Sequence, residues 1–324
     1  MTHPRIICLG EILFDRLANQ RGKPIEEVES WTDYPGGAPA NVACGVQKLG
    51  TPSAFVGCVG RDDTGNELVS LLEELGVDTT GVQRHPTAPT RRVYVVRSPE
   101  GEPDFAGFGD TPTTEFADAK LQAEALPEML FQQAEFLVLG TLELAYPETK
   151  VAIDRALKLA DRHYVKILVD VNWRPMFWPD PDVAFDRIHE LLKRVDFLKL
   201  SESEAKWLFK TDDPGAIAHR MGNKEGVLVT RGDRGCSYCL SENEDSLPAF
   251  SVLVEDPTGA GDGFVSGFLH QLGQYEMSYL QDPDVAREIA TYASAVGAIV
   301  ASKPGAIAAQ PTAEEVQQFR DRKP

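Results

Sequence analysis

A chain of 324 residues that is 42% hydrophobic and 25% charged can bury a sizeable core, as one large α/β domain or two smaller ones. Its 32 basic and 50 acidic residues leave a net charge of −18 with no basic block, which argues against broad nucleic-acid or anionic-membrane binding but allows a local cationic pocket. No run reaches transmembrane length, the opening Met1-Thr2-His3-Pro4-Arg5 lacks a signal-peptide core, and the five cysteines are odd in number and scattered, so a reducing cytoplasm is the expected compartment.

In chain order, residues 5–9 read as a buried strand ending at Gly10. Glu11 and Asp15 follow, two carboxylates just past a strand end, where open α/β sheets bind ligands; Asp15 taken alone would also suit a solvated loop. Residues 19–35 are polar and punctuated by Gly22, Pro24 and Pro35. Pro35-Gly36-Gly37-Ala38-Pro39-Ala40-Asn41 then opens a helix stopped at Gly50, with glycines that let backbone approach a ligand and a polar Asn41 in an apolar turn. Residues 54–59 form a second strand, and Asp62 caps a helix to about Leu75. Residues 91–96 and 105–108 read as short strands that break the α/β rhythm. With residues 16–34 they are expected to form a small β lid over a site.

A regular alternation starts at residue 136. Strands at 136–139, 166–171, 196–200, 226–230 and 235–240 are separated by helices at 147–163, 182–195 and 202–209 with a second piece to 221, and the last short gap implies a hairpin. Three helices close the chain, near 261–273, 284–302 and 312–322. The expected fold class is α/β, a doubly wound and largely parallel sheet flanked by helices. Its domains would be an α/β body of residues 1–15, 35–90 and 110–324 and a β lid of residues 16–34 and 91–109. Cys236-Ser237-Tyr238-Cys239 has no second pair or nearby His to complete a zinc site and reads as core or surface thiols.

The most informative stretch is Asp256-Pro257-Thr258-Gly259-Ala260-Gly261-Asp262-Gly263-Phe264. It follows an apolar, β-branched run at 250–254, read as a strand, and leads into an apolar helix. Free N–H groups and the helix dipole make such a turn an anion site, and Asp262 puts a proton acceptor beside it. No G-x-x-x-x-G-K-[ST] string occurs, and the last Gly is misplaced for G-x-G-x-x-G. An ordinary strand–turn–helix junction is the alternative.

Gly36-Gly37-Ala38-Pro39-Ala40-Asn41 with Gly57-x-x-Gly60-x-Asp62-x-x-Gly65, and Asp256 to Asp262 about 220 residues after the first of these, resemble the two signatures of the ribokinase-like (PfkB) carbohydrate kinases. The resemblance covers nearly the whole chain. It lies closest to bacterial and plant fructokinases through Asp170-Val171-Asn172-Trp173-Arg174-Pro175, Phe105-Ala106-Gly107-Phe108 and Ser302-Lys303-Pro304-Gly305-Ala306-Ile307, while kinases for ketodeoxygluconate and aminoimidazole riboside share much of this. It implies an ATP-dependent sugar kinase with Asp262 as general base and Gly259, Ala260 and Gly261 as anion hole. Sugar contacts would come from Asp15, Gly36, Gly37, Asn41, Tyr94, Phe105, Glu143 and Arg174. ATP would meet Asn172, Ser201, Glu204, Thr230, Gly232 and Gly235, the last three in a T-x-G-x-x-G loop. Ser201-Glu202-Ser203-Glu204 stands where the family has N-x-x-E, so Ser201 replaces an Asn while Glu204 is kept to order Mg²⁺ through water. Asp256, Thr258 and Gly305 match the segments that hold K⁺ in the family. The implied partners are ATP and a small sugar, with a homodimer through the lid left open. A catalytically silent, regulatory relative would show erosion of the base or the anion hole, and both are intact here.

Overall fold

The computed structural model describes residues 3–99, 103–222 and 224–321. Part of the predicted lid segment, at 100–102, and the last residue of the predicted helix 312–322 lie outside them. The order is β1 (Ile6–Leu9), β2 (Leu13–Arg21), β3 (Trp31–Gly36), α1 (Ala38–Lys48), β4 (Ser53–Gly60), α2 (Asp63–Glu74), β5 (Asp78–His85), β6 (Arg92–Arg97), β7 (Pro103–Gly107), α3 (Glu128–Phe131), β8 (Phe136–Leu139), α4 (Pro147–His163), β9 (Lys166–Asp170), α5 (Ala184–Leu192), β10 (Phe197–Ser201), α6 (Glu202–Phe209) and α7 (Pro214–Arg220), then β11 (Gly226–Thr230), β12 (Cys236–Leu240), β13 (Asn243–Leu247), α8 (Ala260–Leu272), α9 (Pro283–Ala301) and α10 (Ala313–Asp321).

Nine strands form the main sheet in the order β13-β12-β11-β10-β9-β8-β1-β4-β5. It is parallel from β5 to β11, and β11-β12-β13 is an antiparallel meander at one edge. The central strands are apolar on both faces because helices cover both. Ile6, Cys8, Phe136, Val138, Leu168 and Phe197 pack with residues of α1, α2, α8 and α9. Their alternate neighbours Ile7, Leu9, Leu137, Leu139, Val169 and Leu198 pack with α4, α5 and α6. The doubly wound architecture expected from the alternation is present. No helix of the described residues is long and apolar enough to cross a membrane.

A second sheet has the order β3-β2-β6-β7. It starts earlier than the polar stretch suggested, so that Asp15 sits within β2 and not in a loop. Three strands had no apolar signature: β3 is Trp-Thr-Asp-Tyr-Pro-Gly, β5 is Asp-Thr-Thr-Gly-Val-Gln-Arg-His and β13 is Asn-Glu-Asp-Ser-Leu. All three are strands because a neighbour supplies the ladder, at an edge where one face need not be apolar. Conversely, the apolar run at 250–254 is not a strand. Leu253 is 90% exposed and the segment joins neither sheet, so the turn before α8 is entered from an irregular segment. All five cysteines are free and buried, Cys236 and Cys239 on β12 among them.

Candidate active site

Lys199, near the carboxyl end of β10, reaches Gly261 at the N-terminus of α8, and Asp262 stands in the first turn of that helix, 8% exposed. Asn41 of α1 donates from Nδ2 to Asp262 Oδ2 at 2.7 Å. Burial raises the Asp262 pKa, while Asn41, Lys199 and Arg174 pull it back. Gly259 is required at the N-cap: its φ is +79°, and a Cβ there would fall 2.7 Å from Cβ of Ala306. Gly261 is tight for another reason, because a Cβ there would lie 2.9 Å from Lys199 Nζ. The helix start thus presents backbone N–H groups beside a buried carboxylate, the arrangement that favours an anion next to a proton acceptor.

On one side of this centre lies the small sheet. Asp15 is half-buried on β2, and a Cβ on Gly36 would come 2.8 Å from its Oδ2. Burial pushes the Asp15 pKa up to about 6; Arg174 opposes this, and Glu11 and Asp256 add to it. Arg174 is exposed, and its charge favours the ionised form of both Asp15 and Asp262. Gly37 has φ +104°, with Glu11 carbonyl oxygen only 2.5 Å from where a Cβ would be. Glu11 carboxylate oxygen Oε1 accepts the Ala38 N–H at 2.9 Å, anchoring the start of α1.

Two expected sugar contacts stand elsewhere. In the register of the small sheet Asp15 pairs with Val93 and Tyr34, and Val95 pairs with Leu17 and Phe105. Side chains alternate across a sheet, so Asp15, Tyr34 and Phe105 share one face. Tyr94 is on the other, edge-on to Trp31 at 5.2 Å and under Arg16. Tyr94 therefore does not line the surface that carries Asp15. Glu143 is 3% exposed and wedged behind Gly10, where burial and the charge of Glu11 push its pKa well up. It backs Glu11 and presents no carboxylate to the cleft.

On the other side are the strand ends. Glu204 completes a capping box with Ser201 at the start of α6. Its Oε2 accepts the Ser201 N–H at 2.7 Å, and its Oε1 accepts the Trp173 N–H at 2.6 Å. Burial works against the Glu204 charge, but Lys199 and these N–H donors prevail and lower its pKa. The bond to Trp173 also fixes Asn172, which has φ +39°, a left-handed conformation that Asn tolerates better than most residues. Ser201 and Thr230 are direct register partners on β10 and β11. The loop after Thr230 turns at Gly232 (φ +58°) and Gly235 (φ +84°), and a Cβ on Gly235 would strike Leu247 carbonyl oxygen at 2.0 Å. Before α8, Asp256 accepts N–H groups from Thr258 at 2.9 Å and Gly305 at 3.2 Å, which brings these three residues together.

Beneath the turn that opens α8 lies an ion pair, one member of which, Lys199, no motif singled out. Lys199 of β10 and Asp170 of β9 are register partners, 6% and 5% exposed, bonded at 2.9 and 3.1 Å. A lysine two residues before the end of an apolar strand, on the face of Phe197, was the available signal.

This architecture is that of solved ribokinase-like kinases. The chain matches the crystal structure of fructokinase with bound ATP from Xylella fastidiosa with a TM-score of 0.86 and 29% identity over 97% of each chain. It matches a putative ribokinase II in complex with ATP and Mg²⁺ from E. coli with a TM-score of 0.87 and 27% identity, over 99% of this chain and 100% of that one. Residues 3–313 match the pfkB family carbohydrate kinases, and the chain belongs to that family and is an enzyme of it. It is 35% identical over 319 residues to the probable fructokinase-6, chloroplastic, of Arabidopsis thaliana, covering 97% of this chain and 82% of that protein.

Proposed function

We propose that this carbohydrate kinase transfers the γ-phosphoryl group of ATP to the 6-hydroxyl of D-fructose, with Asp262 as general base. The observation that carries the reading is Asp262 itself, a buried carboxylate held by Asn41 at the N-terminus of α8. The choice of fructose rests on the fructokinase relatives and on Asp15, an ionisable acceptor suited to neighbouring sugar hydroxyls.

The sugar hydroxyl oxygen attacks γ-phosphorus and its proton passes to Asp262. The bond from phosphorus to the β–γ bridging oxygen breaks, and its electron pair leaves on ADP. The N–H groups of Gly259, Ala260 and Gly261 meet charge on the transferring phosphoryl, the main requirement of such a transfer. Asn41 holds the base toward the sugar, and Asp15, Gly36 and Gly37 form the sugar's bed, with Phe105 and Tyr34 beside Asp15 on the same face of the small sheet. Arg174 bridges the two sides. Asn172, Ser201, Thr230, Gly232 and Gly235 border the nucleotide. The small sheet of β2, β3, β6 and β7, which carries the lid segments expected at 16–34 and 91–109 and extends back to Leu13 and on to Gly36, acts as a lid on the body formed by the rest of the chain and excludes water as a competing acceptor.

Among the described residues no cluster of three or more His, Cys, Asp or Glu can cage a metal. Both oxygens of Glu204 are already hydrogen-bonded. That donor set fits Mg²⁺ carried by the nucleotide phosphates, keeping its waters, with Glu204 receiving one of them. Bound there, Mg²⁺ would neutralise phosphate charge. In the same reading Asp256, Thr258 and Gly305, drawn together by the N–H groups that Asp256 accepts, would hold K⁺ near the anion hole through backbone oxygens.

The test is an ADP-release assay over D-fructose, 2-keto-3-deoxygluconate, aminoimidazole riboside and ribose. Turnover with fructose at the highest kcat/KM is expected. A signal with the acid sugar or the riboside and none with fructose would replace the substrate while leaving the kinase intact.

A further inference from the structure

We infer that Lys199 supplies the buried positive charge of phosphoryl transfer, its ammonium forming the floor of the anion hole of Gly259, Ala260 and Gly261. The inference rests on the reading of that turn as the transfer site and adds a residue to it.

Strand alternation puts Lys199 on the face of Phe197, where α8 packs and where an apolar side chain would be the ordinary occupant. Instead an ammonium is buried there, 2.9 Å from where a Gly261 side chain would begin. Its hydrogen bonds both go to Asp170, which leaves one of three N–H donors unspent. Asp170 restrains the ammonium from one side, while the backbone of the anion-binding turn lies against it on the other. Lys199 also feels Glu204 and Asp262, and these carboxylates together overcome burial and keep it charged.

Stability alone does not account for such a pair. Desolvating two ions cancels most of their attraction, and well-packed apolar replacements are commonly neutral or stabilising. A charge placed where phosphoryl charge spreads does account for it. The ammonium donates a hydrogen bond to a γ-phosphoryl oxygen and gives up no proton; the sugar's proton still goes to Asp262. Gly261 is then glycine because the ammonium needs the space as much as the phosphate does.

Two variants test this. Lys199→Met with Asp170→Leu removes both charges together. Lys199→Gln keeps a donor to Asp170 but no charge, and so reports if the double variant fails to fold. Thermal melts and kcat and KM for ATP and fructose are measured for each. The double variant is expected to melt at or above the parent temperature, with KM for ATP within about threefold and kcat down roughly 10²-fold, the usual loss for one such donor. Lys199→Gln is expected to lose kcat likewise. A folded variant whose kcat stays within about threefold of the parent would overturn the inference, as would a loss confined to KM. Asp262→Asn run in parallel separates the readings. If it is inactive while the Lys199 variants are active, only the role of Lys199 fails; if it turns over normally, the transfer site itself is wrong.

Discussion

Glu204 and Asp15 are both carboxylates at the carboxyl edge of the fold, facing the cleft from opposite sides, and the protein treats them in opposite ways. Glu204 is satisfied before any ligand arrives: two backbone N–H groups and Lys199 hold it ionised. Asp15 has no such donors among the described residues; burial, against Arg174, pushes its pKa up to about 6. In the proposed reading the nucleotide side is prewired by backbone, which suits a ligand shared by every turnover, and the sugar side keeps an acceptor that a ligand's hydroxyls must satisfy, which suits selection.

The sharpest way to break this contrast is at the centre, where both sides meet. Asp262→Asn is expected to reduce kcat by at least about 10²-fold with KM for ATP and sugar nearly unchanged, read by steady-state kinetics. Kinetics within a few-fold of the parent would remove the base.

The next largest effect is expected on the sugar side alone. Asp15→Asn should raise KM for the sugar by about 10-fold or more, as for a lost charged hydrogen bond, and leave KM for ATP unchanged. The pH dependence follows from the raised pKa. Asp15 protonates as pH falls through about 6, so the sugar's KM should rise there in the parent and be flat in the variant. For stability the sign is reversed. A carboxyl whose folded pKa is raised binds its proton more tightly folded than unfolded, so its contribution is present at low pH and lost as pH rises through about 6. Asp15→Asn should therefore stabilise the ligand-free protein at pH 7–8 by about 1–2 kcal/mol, discounted for the solvent the half-buried group retains. A destabilised variant at that pH would contradict the burial argument.

On the nucleotide side the balance should tip toward folding. Glu204→Gln leaves one N–H poorly accepted and is expected to cost about 1–2 kcal/mol in chemical denaturation. Its Mg²⁺ requirement should also rise. A change in activity without any change in stability would mean that Glu204 is a ligand more than a clamp. The smallest effect is expected from Cys236→Ala with Cys239→Ala, which should leave kcat/KM within about twofold. Burial pushes both thiols up, so neither is a reactive thiolate; a large loss would give the pair a role that its position on β12 does not suggest.

Much of this was legible in residue order. The α/β alternation after residue 136 and the turn from Asp256 to Asp262 carry local signals, apolar runs and glycines with steric reasons. The edge strands β3, β5 and β13 were not legible, because polar strands exist only through a neighbour's ladder. The run at 250–254 misled for the converse reason, since β propensity without a pairing partner leaves Leu253 in solvent. Tyr94 and Phe105 both looked like cover for a sugar. Only the register of β6 against β2 and β7 shows that they face opposite ways.

By itself the sequence determined the class of fold, the glycine turn proposed to bind an anion and the carboxylate beside it, because backbone freedom at glycine and hydrophobic period are local properties. Tertiary structure alone decided which distant groups act on that carboxylate. Asn41 reaches Asp262 across 221 positions of sequence at 2.7 Å, and Lys199 meets Gly261 from another strand. Charge and hydrogen bonding act over a few ångströms of space, and no spacing along the chain encodes which residues will share them.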